Sequence, residues 1–147
     1  MFLSSQPKVT YVRNAKLLSV IDGDTFEVFI DDGRGCWGKE RVRIAGVDTP
    51  EVRGPEKIAG FYVKKKAIEW LDFPNGDALV LHSLKFRIDS FARIICEVWR
   101  KEKSYNQWLL NEGLAWPTDS KGKGFSRDIE RLNLPDSVKQ SVRESYK

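Results

Sequence analysis

Five short β-rich runs, separated by turn residues and interrupted once by a long amphipathic stretch, restrict the fold of this chain more than any other feature. The runs are residues 16–21 (KLLSVI), 24–30 (DTFEVFI), 39–47 (KERVRIAGV), 78–83 (ALVLHS) and 93–100 (RIICEVWR). Asp22-Gly23 between the first two is a strong hairpin signal, and the glycine-rich stretch 31–38 is a second turn region. Short strands at this density, broken by one helix, predict a small barrel.

The helix is expected over about 55–71, with Pro55 at its first position. Ala59, Val63, Ala67 and Trp70, flanked by Ile58, Phe61, Tyr62, Ile68 and Leu71, make a broad apolar stripe. Lys64-Lys65-Lys66 crosses the opposite side and reads as a solvated face. A second helix is expected over 105–112 with Gly113 as its stop. After a loop over 117–125, Ser126 is placed to cap a short helix through Leu132, and Pro135 to open a last helix to about Ser145. The chain is read as one domain, 1–147, with its core over about 16–116 and a basic helical tail over about 126–147 that is expected to fray.

With 41% hydrophobic and 31% charged residues, the composition supports a real core and argues against both a membrane span and wholesale disorder. The first residues carry no apolar signal segment, so a cytoplasmic location is expected, although a mature secreted chain would look the same. A net charge of +4 steers toward acidic partners. Cys36 and Cys96 lack metal-site spacing and are expected as free thiols, and a monomer is the starting expectation. The single histidine, His82, can support neither a histidine-based metal site nor a Ser-His-Asp triad, and is read as structural.

The chemistry lies in charged residues beside the turns. Asp22-Gly23-Asp24 alone is weak evidence, since Asp-Gly commonly just turns the chain. Asp48-Thr49-Pro50-Glu51 says more. Thr49 is pushed toward extended geometry by the proline after it, and Pro50 fixes its own φ, so Asp48 and Glu51 are held at a nearly set separation. Carboxylates and carbonyls without nearby His or Cys select a hard cation such as Ca²⁺ or Mg²⁺. Arg43 and Arg93, each in or beside a strand and near an acidic motif, carry guanidinium forks that match the equatorial oxygens of a phosphodiester in its transition state. Arg43 and Asp48 are an odd number of positions apart and would face opposite sides of a regular strand. A shared site therefore requires a break over 45–47, expected at Gly46.

In order along the chain, Val20-Ile21-Asp22-Gly23-Asp24-Thr25, the segment Arg43 to Glu51, Asp89-Ser90-Phe91-Ala92-Arg93 and Asn106 to Ala115 resemble the motifs of staphylococcal-nuclease-like (thermonuclease) domains. The resemblance covers roughly Lys16 to Ala115. It implies an α+β fold, an OB-fold barrel of five strands with about three helices. It implies that Asp24, Asp48 and the backbone carbonyl of Thr49 hold Ca²⁺, with Mg²⁺ a less effective substitute and Asp22 behind them. Glu51 would be the general base, and Arg43 and Arg93 would clamp the scissile phosphate. Arg93 is too weak an acid to be the proton donor and is better viewed as an electrostatic clamp. The implied substrates are DNA and RNA, preferably unpaired, cut with little sequence preference to leave a 3′-phosphate and a 5′-hydroxyl. The alternative is an OB-fold module that binds nucleic acid or protein without catalysis.

Several positions depart from the family pattern. Ser90 and Phe91 stand where the type protein has a lysine and a tyrosine, and Ala92 stands where glycine is usual. If that position needs a positive φ, alanine is strained by about 1 kcal/mol; a slightly different turn is the expectation. Only Val52 and Arg53 separate Glu51 from Gly54-Pro55, so Glu51 is expected to be held rigidly beside an open mouth. Asp89, Phe91 and Trp116 are candidate substrate contacts; Trp116 would be a stacking surface, with a core role as the competing reading.

Overall fold

The structure is a computed structural model that describes residues 10–76, 78–84, 91–119 and 127–147. Its main sheet comprises β1 (Thr10–Asp22), β2 (Thr25–Asp31), β3 (Trp37–Ile44), β5 (Leu79–Leu84), β6 (Ile94–Arg100) and the two-residue β7 (Lys103–Ser104). A separate ladder joins β4 (Val47–Asp48) to β8 (Trp116–Pro117). Strand order β3-β2-β1-β5-β6, with β3 and β6 also paired in parallel, closes five strands into a barrel. With α1 (Lys57–Leu71), α2 (Tyr105–Asn111) and α3 (Asp136–Ser145), this is the α+β, OB-type architecture expected.

β1 is longer than the sequence pattern implied. Its first half pairs with β5 and its second half with β2, with bulges between Leu17 and Ser19 and between Val20 and Asp22. One bent strand thus serves two neighbours, which is how a small barrel turns a corner. Phe26, Val28, Val42, Ile44, Leu79 and Val98 fill the interior. The hydroxyl of the buried Tyr105 reaches back across it to the carbonyl of Gly23 at 2.5 Å.

α1 begins through a 3₁₀ turn, Gly54–Glu56, which places Pro55 at the start as expected. Its buried face is narrower than the apolar residues suggested: Ala59, Gly60, Val63, Ala67 and Leu71 are covered, while Ile58 and Phe61 stay about half exposed. Small side chains at 59, 60 and 67 let the helix lie close, while at about 100° per residue Ile58 and Phe61 fall on the side away from the buried stripe. α2 is capped by Ser104 and ends at Gly113 with φ +68°, the turn closed by Leu114 N–H donating to Leu109 O at 2.9 Å.

The C-terminal segment is docked rather than fraying. Ile129, Leu132, Leu134 and Val142 are buried, and α3 packs on α1. The expected short helix is a single 3₁₀ turn, Ile129–Arg131, capped by the Asp128 side chain; Ser126 lies outside the described residues. Cys36 is exposed and Cys96 buried, both free. His82 packs its ring against Trp99 at 5.7 Å. No described helix is long and apolar enough to cross a membrane.

Candidate active site

β3 stops at Ile44, the chain turns through Ala45 and Gly46, and β4 restarts at Val47. Gly46 sits at φ +76°, a conformation that glycine adopts without steric penalty. The Arg43 side chain folds back over this turn. Its Nη1 donates to Ile44 O at 3.1 Å and Val47 O at 2.9 Å. The same guanidinium lies 3.4 Å from Asp24 Oδ2 and 3.5 Å from Asp48 Oδ1. The break required by the odd spacing is therefore present, and it brings Arg43 and Asp48 together.

Neighbouring elements hold the turn in place. Asn106, near the start of α2, donates to Ala45 O at 2.6 Å and accepts the Val98 N–H at 3.0 Å. β8 pairs Asp48 with Trp116, and Thr118 N–H donates to Gly46 O at 3.0 Å. Gly60 on α1 lets the Glu51 segment rest on the helix, since a Cβ there would lie 2.1 Å from Glu51 O.

Asp24 is buried at the β1–β2 turn. Its Oδ2 accepts the Thr49 N–H at 2.9 Å and its Oδ1 the Thr25 hydroxyl at 3.1 Å. Burial opposes its ionisation, but the Arg43 guanidinium, a hydrogen bond with Asp22 and the Thr49 N–H outweigh it and hold the carboxyl below its usual range. Asp22 goes the other way. Burial and the neighbouring Asp24 charge push its pKa up to about 8, so it stays protonated at neutral pH beside an ionised partner. Glu51 is largely exposed, yet burial of part of its side chain and the Asp24 charge raise its pKa, with the Arg127 charge working against them. The short segment that follows is bridged by a hydrogen bond, Glu51 N–H donating to Glu56 Oε1 at 3.0 Å.

Arg93 Nη1 donates to the Thr25 hydroxyl at 3.2 Å, and that hydroxyl donates to Asp24. Its guanidinium carbon lies 5.0 Å from the centroid of the exposed Phe91 ring. Ala92 has φ +58°, so alanine takes the left-handed conformation here. Asp89 lies outside the described residues. Trp116 is 4% exposed, its Nε1 donates to Asp128 O at 2.9 Å, and Arg127 covers its ring at 4.8 Å. It is a core residue with no open face for a base.

Arg127 is the member that sequence reasoning missed. Its guanidinium bonds to Asp48 Oδ2, to Thr49 O at 3.1 Å and to Glu56 Oε1 at 2.5 Å, and lies 3.9 Å from Glu51. Burial works against its charge, but hydrogen bonds to Glu56 and Asp48 raise its pKa further. No motif surrounds it. The only available signal was a charge imbalance, with Asp22, Asp24, Asp48 and Glu51 set against Arg43 and Arg93.

Among the described residues, no three His, Cys, Asp or Glu side chains form a ready metal cage. The oxygens that the family resemblance assigns to a cation are those of Asp24, Asp48 and the Thr49 carbonyl. All three are oxygen donors, the kind a hard cation takes, and two of them, Asp48 and the Thr49 carbonyl, are engaged by the Arg127 guanidinium.

The sequence profile described as "Staphylococcal nuclease homologue" matches residues 41–141. The chain belongs to this staphylococcal nuclease family. It is 35% identical over 103 residues to "Endonuclease YncB" of Bacillus subtilis (strain 168), covering 69% of this chain and 46% of that protein. It is 35% identical over 97 residues to "Thermonuclease" of Staphylococcus intermedius, covering 65% of this chain and 54% of that one. The chain thus spans about half the length of these relatives.

Proposed function

We propose that this chain is a Ca²⁺-dependent nuclease that hydrolyses phosphodiester bonds of DNA and RNA, preferably unpaired, leaving a 3′-phosphate and a 5′-hydroxyl. The observation that carries this reading is the convergence of Asp24, Asp48 and Arg43 at one end of the barrel, with the Thr49 carbonyl tied to Asp48 through the Arg127 guanidinium. A divalent cation held there by Asp24, Asp48 and the Thr49 carbonyl would lower the pKa of a water and offset phosphate charge.

The chain's own residues do the rest. Glu51, with its raised pKa, accepts a proton from the attacking water better than an unperturbed glutamate would. Arg43 and Arg93, linked through Asp24 and Thr25, present guanidinium groups to the non-bridging oxygens. Protonated Asp22 supports Asp24 without adding a second negative charge. Names of relatives support the class: one is an endonuclease and one a thermonuclease.

A second reading, a binding module without catalysis, has one observation in its favour. Arg127 already occupies Asp48 and the Thr49 carbonyl, and an internal cation there removes the need for a metal. One experiment separates the two. Purified protein is incubated with single- and double-stranded DNA in Ca²⁺, Mg²⁺ or chelator, beside Glu51→Gln. Cleavage that needs Ca²⁺ and is lost in the variant supports the nuclease. Binding without cleavage under every metal supports the module.

A further inference from the structure

Beyond Arg43 and Thr25, the outward face of β2–β3 carries residues that the active site does not use. Alternate residues of β3, Trp37, Lys39, Arg41 and Arg43, share one face, and their partners on β2 are Asp31, Phe29, Glu27 and Thr25. Lys16 of β1 stands opposite Phe29 on its other side. Lys39 and Arg41 are 62% and 59% exposed at the side chain, and Trp37 is 51% exposed. Trp37 and Phe29 meet at 6.2 Å, forming an exposed aromatic platform. Glu27 lies 3.8 Å from Lys39 and 3.7 Å from Arg41, so one carboxylate serves two cations. Asp31, in the row with Trp37, is turned onto the Gly33 N–H.

We propose that this face binds the single strand running out of the active site, with phosphates on Arg41 and Lys39 and a base on Trp37 and Phe29. This deepens the reading above and rests on nucleic acid being the ligand, not on its hydrolysis. Alternate residues of a strand are about 6.8 Å apart, close to the separation of successive phosphates in an unstacked single strand. The cations continue the line of Arg43, whose row partner Thr25 is the residue that Arg93 reaches. The outer face of strands 2 and 3 is also where OB-type barrels carry oligonucleotides. Cations for the backbone and exposed aromatics for base faces are the combination that single strands require. A stacked duplex keeps its base faces to itself and leaves the platform without work.

The test is anisotropy of a fluorescent twelve-residue oligothymidylate in chelator, titrated at several salt concentrations. Lys39→Gln/Arg41→Gln, both exposed, should weaken binding and flatten the slope of log K against log salt by about 1.4, or ~0.7 for each cation removed. Trp37→Ser should weaken binding about tenfold, the scale of one lost stacking contact. Glu27→Gln should tighten binding, a gain that misfolding cannot produce. A thymidylyl dinucleotide, too short to pass Arg43, should bind all variants alike. An unchanged slope in the double variant, equal losses on the dinucleotide, or equal losses on a duplex would overturn the proposal. If the wild type cleaves nothing with any cation, yet the slope still flattens, the surface stands and the nuclease reading falls.

Discussion

Arg41 and Arg43 stand two residues apart on one face of β3, yet their side chains are 59% and 17% exposed. Arg41 has Glu27 at 3.7 Å in open solvent. Arg43 has two carboxylates and two carbonyls around it, all placed by the break at Gly46. Solvent screens the first pair and leaves its charge a general attraction for anions. Partial burial strengthens the second set, moves the proton affinities of Asp22, Asp24 and Glu51, and fixes the fork in direction. The same residue type thus steers in one place and positions in the other, and convergence of backbone elements makes the difference.

The largest expected effect tests that contrast directly. Arg43→Lys keeps the charge but removes the fork, and should lower turnover on single-stranded DNA by on the order of 10². Arg41→Gln should leave turnover on a dinucleotide unchanged. Steady-state kinetics on both substrates would break the comparison if the two variants fell together.

Stability should divide along the same line. Glu56 is 7% exposed and holds the Glu51 N–H and the Arg127 guanidinium. Glu56→Ala strands both donors and should cost about 2 kcal/mol in urea unfolding. Glu27→Ala, on the exposed face, should stay within about 0.5 kcal/mol.

The elements closest to the site were the most legible in the sequence, because turn chemistry marks them. Asp22-Gly23, Gly46 and Gly113 are backbone instructions that read the same in sequence and structure. The odd spacing from Arg43 to Asp48 by itself requires the break if the two are to meet. What stayed hidden depends on neighbours far along the chain. The first half of β1 has no clean alternation, since it pairs with β5 across the barrel's corner. Exposure of Ile58 and Phe61 follows from which line of α1 faces the barrel, which a stripe apolar on several sides does not state. Ala92 takes a positive φ that its residue type does not announce. Arg127 reaches Asp48 from 79 positions away, and local reading has no access to such a contact.

That contact makes the next prediction. Arg127 bonds to Asp48 Oδ2 and Thr49 O, two groups on which the proposed cation would also draw. Arg127→Gln should therefore raise Ca²⁺ affinity about fivefold, the worth of a part-exposed ion pair of ~1 kcal/mol. Isothermal titration calorimetry reads this without any turnover. Unchanged affinity would mean that the guanidinium and the metal do not compete, and that the barrel end has room for both.

The smallest effect sharpens the opening pair most. Arg41→Gln removes a contact held at 3.7 Å by a side chain mostly in water, so stability should change by less than about 0.5 kcal/mol. Arg43→Gln removes the cation beside Asp24, which is 5% exposed, and also the bonds that tie Ile44 and Val47 across the turn. It should cost about 1–3 kcal/mol, because a buried carboxylate and two carbonyls lose their donor together. Raising the salt concentration should shrink the Arg41 effect toward zero and leave most of the Arg43 effect, since screening reaches the exposed pair and scarcely the buried one. Equal salt sensitivity in the two variants would show that burial at the barrel end is too shallow to set Arg43 apart from its neighbour.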